Sequence, residues 1–241
     1  MNARVRQLFG AVAVLLSACG GGGDSGAPAP APAPAPAGSY STNFGVTENP
    51  IGEGGRWTNG KVVGLSWNNV QTQPGLAFAA QFVGLSSSRY DDCIAILNSP
   101  TFNADQYVQA TVSRVPGYRN PIDKHEIELL LRFQITPNGA RGYEILWGQD
   151  GEIYVVRWNG PLGSYTALGS IPDAPANMAV NGDVLRAEIV GSVIRVYRNA
   201  ILVLSVTDTT YTTGQPGMGF WPTAGSTLSS YGWKNYLAGS L

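Results

Sequence analysis

Glu126 and Glu128 stand one residue apart in the run DKHEIELLLRF, Asp123 to Phe133. On a strand, residues two apart point the same way and lie about 6.6 Å apart. That spacing is near the short end of the range for carboxyl pairs that hydrolyse a glycosidic bond with inversion. A general acid also needs a raised pKa, from burial or a like charge. Arg132 shares the alternation of Glu126, Glu128 and Leu130 and is expected to hold both carboxylates ionised, which works against the acid role. The simplest expectation is a solvated strand face with cross-strand ion pairs to Arg141, Arg157 or Arg186. The next is a face that contacts a ligand in a shallow concave groove. Ile127, Leu129, Leu131 and Phe133 then form the core side of the same strand.

Sugar recognition needs aromatic platforms, because the apolar face of a pyranose stacks on Trp or Tyr while Asn, Asp and Arg bond its hydroxyls. The chain has six tryptophans, at 57, 67, 147, 158, 221 and 233. Most are expected in the core. Trp158-Asn159 and Trp221 each close a strand ahead of a loop, so Trp158, Asn159 and Trp221 join Glu126, Glu128 and Arg132 as ligand-contact candidates. His125, the only histidine, is expected exposed at the start of its strand. Cys93, in DDCIAIL, reads as a small buried thiol. One histidine and so few cysteines exclude a transition-metal site. The glycine run near the N-terminus precedes no strand-to-helix junction, so no phosphate loop is expected. With 13% charged residues and a net charge of -1, no long-range attraction to nucleic acid or an anionic membrane is expected.

The elements that position these residues read as strands. Gly at 31, Pro at 16 and many Val, Thr, Tyr and Trp suit strands and tight turns. Candidates are KVVGLSW, GLAFAAQF, CIAIL, YVQATVSRV, HEIELLLRF, GYEILWG, EIYVVRW, DVLRAEIV, VIRVYRN, ILVLSVTD, GMGFW and YGWKNYL. Turn signals separate many of them: Asn138-Gly139, Asp150-Gly151, Asn159-Gly160, Asn181-Gly182 and Gly191-Ser192. A dozen short strands joined in this way predict an all-β fold, a two-sheet antiparallel sandwich of the jelly-roll type.

The N-terminus reads differently. Arg4 and Arg6 precede a short apolar run, Leu8 to Leu16, too brief to span a bilayer. It ends in Leu16-Ser17-Ala18-Cys19, which resembles the bacterial lipobox. The resemblance implies a signal peptide over 1–19 and a lipidated Cys19 as the mature N-terminus, leaving Cys93 without a disulfide partner. Gly20 in place of Asp looks like the pattern that sends a lipoprotein to the outer membrane in Gram-negative cells. Residues 20–38 then form a glycine-rich and Ala-Pro linker, whose Ala27 to Ala37 part is expected as polyproline II about 34 Å long. One domain follows over 39–241.

The run GDVLRAEIVGSVIRVYRNAILVLSVTD, Gly182 to Asp208, followed by TYTTGQPGMGFW, resembles the C-terminal half of concanavalin A-like lectin/glucanase domains of the laminin G-like kind. FNADQYVQATVSRV, RGYEILWG and EIYVVRWNG extend the likeness. The departure is Asn199-Ala200, where the pattern has Asn-Gly. The resemblance implies the fold, which hosts lectins, adhesion modules, glycosidases and lyases alike. Laminarinase-type glucanases of the superfamily carry Glu-x-Asp-x-Glu on one strand; here the third position is Leu130, so that likeness fails at its key residue. A lyase likeness around His125 and Arg132 is weak. Calcium is common in the family and would draw on Asp91, Asp92, Asp150 or Asp173, whose spacing matches no EF-hand loop. The expected protein is therefore a lipid-anchored envelope protein that binds a glycan or other surface polymer without cleaving it. A glycoside hydrolase or polysaccharide lyase of the same fold, and a structural protein docking another envelope protein, are the competing classes.

Overall fold

The computed structural model describes residues 38–81, 92–120 and 124–241. The expected signal peptide, Cys19 and nearly all of the linker, with Asp91 and Asp123, lie outside the described residues. The strands of the first half are β1 (Ser39–Thr42), β2 (Trp57–Asn59), β3 (Val70–Gln73), β4 (Leu76–Ala79), β5 (Cys93–Leu97), β6 (Gln106–Arg114) and β7 (His125–Thr136). Those of the second half are β8 (Gly139–Gly148), β9 (Ile153–Gly160), β10 (Tyr165–Ile171), β11 (Val184–Val190), β12 (Val193–Arg198), β13 (Ile201–Thr207), β14 (Gln215–Pro222) and β15 (Tyr231–Ser240).

They form two antiparallel sheets, as expected. An eight-stranded sheet runs β13-β12-β11-β6-β15-β4-β3, with β1 added to β15, and a seven-stranded sheet runs β10-β9-β8-β7-β14-β5-β2. Period-two alternation buries one side of each sheet. Val108, Ala110 and Val112 of β6 and Ile127, Leu129 and Leu131 of β7 share one apolar core with Trp147, Trp233 and Tyr236. Each such Val, Leu or Ile side chain contributes about 1.5–3 kcal/mol on burial.

A second apolar cluster joins Ile94, Ile96, Leu130, Phe133, Val156 and Trp158, on the other side of the seven-stranded sheet, with Leu65 and Trp67 of a connecting segment. The run KVVGLSW, expected as a strand, is a 3-10 turn over Lys61–Val63 followed by Gly64 at φ 88°. The bond from the Leu65 amide to the Gly60 carbonyl closes this loop. Trp67 then packs edge-on against Trp158, ring centres 4.7 Å apart. β1, β2, β3 and β10 escaped the sequence reading. β2, β3 and β10 lie at sheet edges, where half the burial that imprints a hydrophobic pattern is missing. Asn159-Gly160 closes β9 rather than forming a turn; the chain reverses one step later, with the Ser164 amide bonding the Pro161 carbonyl. Asn199 and Ala200 do form the β12–β13 turn, both at positive φ (51° and 66°).

A bulge in β7 corrects the simple alternation. Between Leu131 and Gln134 the pairing slips one residue against β8, and the same slip appears against β14 between Gln215 and Gly217. Arg132, at φ 47°, is the additional residue. Gly142 and Gly214 make room for it, since a Cβ at either would collide with Phe133 or Arg132. Phe133 consequently leaves the core side on which alternation put it and joins the second cluster. The Arg132 guanidinium is buried rather than ligand-facing. Its Nε donates to the Ala104 carbonyl at 2.7 Å, Nη1 to the Tyr211 carbonyl at 2.9 Å and Nη2 to Asp105 at 3.3 Å.

These bonds and the positive φ separate in two variants. Arg132→Ala and Arg132→Gly both lose the guanidinium bonds and are expected to destabilise by about 2–4 kcal/mol in urea unfolding. Glycine relieves the left-handed backbone, so its loss should be about 1 kcal/mol smaller than that of alanine. A glycine variant no more stable than the alanine variant would show that the bulge carries no backbone strain.

Candidate functional site: a carboxyl and aromatic cleft

Strand register places the site. On the outer side of the seven-stranded sheet, Glu126 sits opposite Gly148 of β8 and Trp221 of β14, Glu128 opposite Leu146 and Gly219, and Leu130 opposite Glu144 and Gly217. One strand further, Glu144 meets Val156 and Leu146 meets Tyr154; beyond that, Trp158 meets Tyr165. These side chains enclose a cleft of about 360 Å³ in which Glu126, Glu144, Tyr154, Trp158 and Trp221 form walls, and which Asp92 and Lys124 also line.

Two of the carboxyl groups are taken out of water. Glu128 has no exposed surface, and neither of its oxygens has a hydrogen-bond partner among the described residues. Its carboxyl lies over Gly219, where any Cβ would overlap Oε2. Burial pushes its pKa well above the usual range, and the nearby charges of Glu144, Asp92 and Glu126 push further. Burial raises Glu144 to about 7, against a smaller pull downward from the Trp158 indole N–H, which donates to its Oε2 at 2.7 Å. Lys124 pairs with Glu152 at 2.6 Å. Burial alone would lower the Lys124 pKa, but Glu152, Glu126 and Tyr154 outweigh it and leave it raised.

The structure brings Glu126, Glu128, Trp158 and Trp221 of the sequence candidates together and leaves Asn159 and Arg132 outside. Asn159 faces the other way. It accepts from Arg157 Nε at 3.1 Å and donates to Thr166 at 3.2 Å, tying β9 to β10. Arg157 turns to Asp208 and Arg186 to Glu188, away from the ion pairs expected of them. Glu128 is not on a wet face: it has no exposed surface and stands between Leu146 and Gly219 of the neighbouring strands. His125 is fully buried rather than exposed. Its Nδ1 lies 2.9 Å from the Tyr118 hydroxyl, its ring meets those of Tyr118 and Tyr231 edge-on, and burial with the nearby Arg114 charge lowers it to about 3. Cys93 is buried, with Sγ 3.4 Å from the Gln81 carbonyl.

Among the described residues no group of three or more His, Cys, Asp or Glu could hold a metal, and Asp150 is engaged by Arg119 at 3.0 Å. The sequence reading missed Glu144, Tyr154, Lys124 and Tyr165. The alternation of EIYVVRW already set Tyr154 beside Trp158, but only the strand register reveals that Glu144 joins them.

No protein-family model and no curated protein matches this sequence. Solved structures do. The carbohydrate binding module CBM66 from Bacillus subtilis aligns over 77% of this chain and 92% of its own, at 11% identity and a TM-score of 0.50. Porphyranase B from Zobellia galactanivorans aligns over 83% and 90%, at 10% identity and 0.50. The Emp46p carbohydrate recognition domain aligns over 83% and 95%, at 14% identity and 0.50. With the two antiparallel sheets, these similarities show the fold: a concanavalin A-like jelly-roll β-sandwich.

The buried carboxyls make stability depend on pH. Both titrate higher in the folded chain than in the unfolded one, whose value is 4.5. Their contribution is therefore full below about pH 4.5 and is lost as pH rises through the folded values, which for Glu144 is about 7. Glu128→Gln keeps the shape and removes one ionisation. It is expected to be more stable than the parent near pH 8 and to differ little near pH 4.5. Melting curves at the two pH values check this, and a difference that does not change with pH would refute it.

Proposed function

We propose that this protein is a membrane-anchored lipoprotein whose β-sandwich binds a carbohydrate or related surface polymer in the cleft without cleaving it. The observation that carries the reading is the joining, in one cleft, of aromatic faces at Tyr154 and Trp221, backed by the buried Trp158, with carboxyl acceptors at Glu126 and Glu144. Rings hold the apolar face of a pyranose and carboxylates accept from its hydroxyls. Fold relatives that include a carbohydrate binding module and a carbohydrate recognition domain support the same class.

The geometry favours binding over hydrolysis. The backbone rows of Glu126 and Glu144 lie four strand positions apart, about 13 Å, against roughly 5–9.5 Å between the paired carboxyl groups of glycosidases. Glu128 is nearer to Glu144, but it is sealed from solvent. The anchor rests on the sequence: the short apolar run, Ser17-Ala18-Cys19 and the glycine and Ala-Pro linker, with Gly20 favouring the outer membrane of a cell envelope.

Two experiments test this. On a glycan array the full chain in detergent should give specific hits. Trp221→Ala should weaken the best of them at least tenfold, about 1.4 kcal/mol, with little change in melting temperature. Release of new sugar ends from a bound polymer, or no glycan hit at all, would overturn the reading. Separately, the parent should take up labelled palmitate and sediment with membranes, whereas Cys19→Ser should do neither. Equal labelling of the two would refute the anchor.

A further inference from the structure

A second cavity, of about 340 Å³, lies at the tips of the β7–β8 and β9–β10 connections and shares no lining residue with the cleft. Gln134, Asn138, Arg141, Gly160 and Pro161 line it. Strand register builds it. Arg141 of β8 stands between Gln134 of β7 and Asn159 of β9, and Gly160 stands beside Ala140.

Arg141 sets the chemistry of this cavity. Among the described residues six other arginines pair with carboxylates. Arg114 donates to three backbone carbonyls and Arg56 lies over the Tyr40 ring. Arg141 has no carboxylate partner among the described residues, and no acid lines the cavity. Asn159, the neighbour across the ladder, is occupied by Arg157 and Thr166. The Arg141 guanidinium instead lies against Gly160, where a Cβ would come within 3.1 Å of Nε, so the bare glycine gives the planar group its place at the cavity wall.

A guanidinium offers a fixed fork of N–H donors that matches the two oxygens of a carboxylate. Beside it, the Asn138 amide supplies a donor and an acceptor. Gln134 donates to the Thr213 carbonyl at 3.3 Å, which leaves its amide oxygen to accept. A cavity of this volume exceeds the size of a bare ion, and two amides flanking an arginine suit hydroxyl groups next to an acid.

We propose that this cavity is a second ligand site, independent of the cleft, that takes a uronic acid residue. Arg141 binds the carboxylate, and Asn138 and Gln134 bind the hydroxyls beside it.

An NMR titration of the full chain in detergent tests this through the backbone amides of Gly139 and Gly160 and the side-chain amide of Asn138. The probes are a galacturonate dimer, galactose, acetate, inorganic sulfate and vesicles of phosphatidylglycerol. The galacturonate dimer is expected to shift these resonances saturably, at least threefold tighter than acetate or sulfate and more weakly as salt rises, whereas galactose should leave them unmoved. Arg141→Lys, which keeps the charge and loses the fork, should weaken the dimer at least fivefold, and Arg141→Gln should abolish its binding. Because the Arg141 side chain is exposed, both variants should melt with the parent. Arg119→Gln, at an exposed arginine paired with Asp150, should change nothing. The proposal is overturned if no shift saturates, if the shifts survive Arg141→Gln, or if galactose, acetate or sulfate binds as tightly as the dimer. Loss of these resonances on the vesicles without any response to galacturonate would assign the surface to a membrane and overturn it equally. None of these outcomes bears on the cleft, whose test rests on Trp221.

Discussion

One extra residue in β7 decides what the outer side of the seven-stranded sheet contains. Near the β7–β8 turn, Gln134 pairs with Arg141; continued without interruption, that register would set Glu144 opposite Leu131, pointing into the core. The bulge at Arg132 shifts the count by one, so Glu144 faces Leu130 on the outer side instead. The acid missing from the third alternate position of β7 is thus supplied from the neighbouring strand. Because side chains alternate with a period of two, a one-residue slip exchanges the two faces. Guanidinium bonds to two loop segments, Ala104-Asp105 and Tyr211, hold the bulge, so the register of the site is tied to the loops that close the sandwich.

The cleft is built against the ordinary preference for solvated carboxyls. Glu128 and Glu144 leave water, and their mutual repulsion makes joint ionisation costly. Proteins tend to tolerate such expense at ligand sites rather than in plain cores. Part of the surrounding aromatic surface is spent on structure: Trp158 is held by Trp67 on one side and by its bond to Glu144 on the other, leaving Trp221 and Tyr154 as the half-buried rings. Trp67 belongs to a segment whose alternating Val and Leu pattern suggested a strand, and its packing fills one end of the outer face instead.

Much of this was legible in the chain. The long strands, from β5 to β9 and from β11 to β15, announce themselves through alternation and through turn pairs such as Asn138-Gly139 and Gly191-Ser192. Composition and spacing also set the fold class and the proximity of Glu126 to Glu128. Trp158 and Trp221 could be nominated because each ends a strand. What misled the reading was local: Arg132 was assigned by alternation to the face of Glu126, and His125 by its position at a strand start to solvent.

The sequence by itself determined that strands form, which of their sides is apolar, that Glu126 and Glu128 share one strand face and that Tyr154 and Trp158 share a face of another, because those properties depend on neighbours one or two residues away. Only the tertiary structure decided that Glu128 is buried, that Glu144 and Tyr154 join it, and that Arg132 and Asn159 do not. Those outcomes depend on the register between strands and on what loops distant in sequence lay across the sheet, and a bulge changes that register without changing any local pattern from which it could be read.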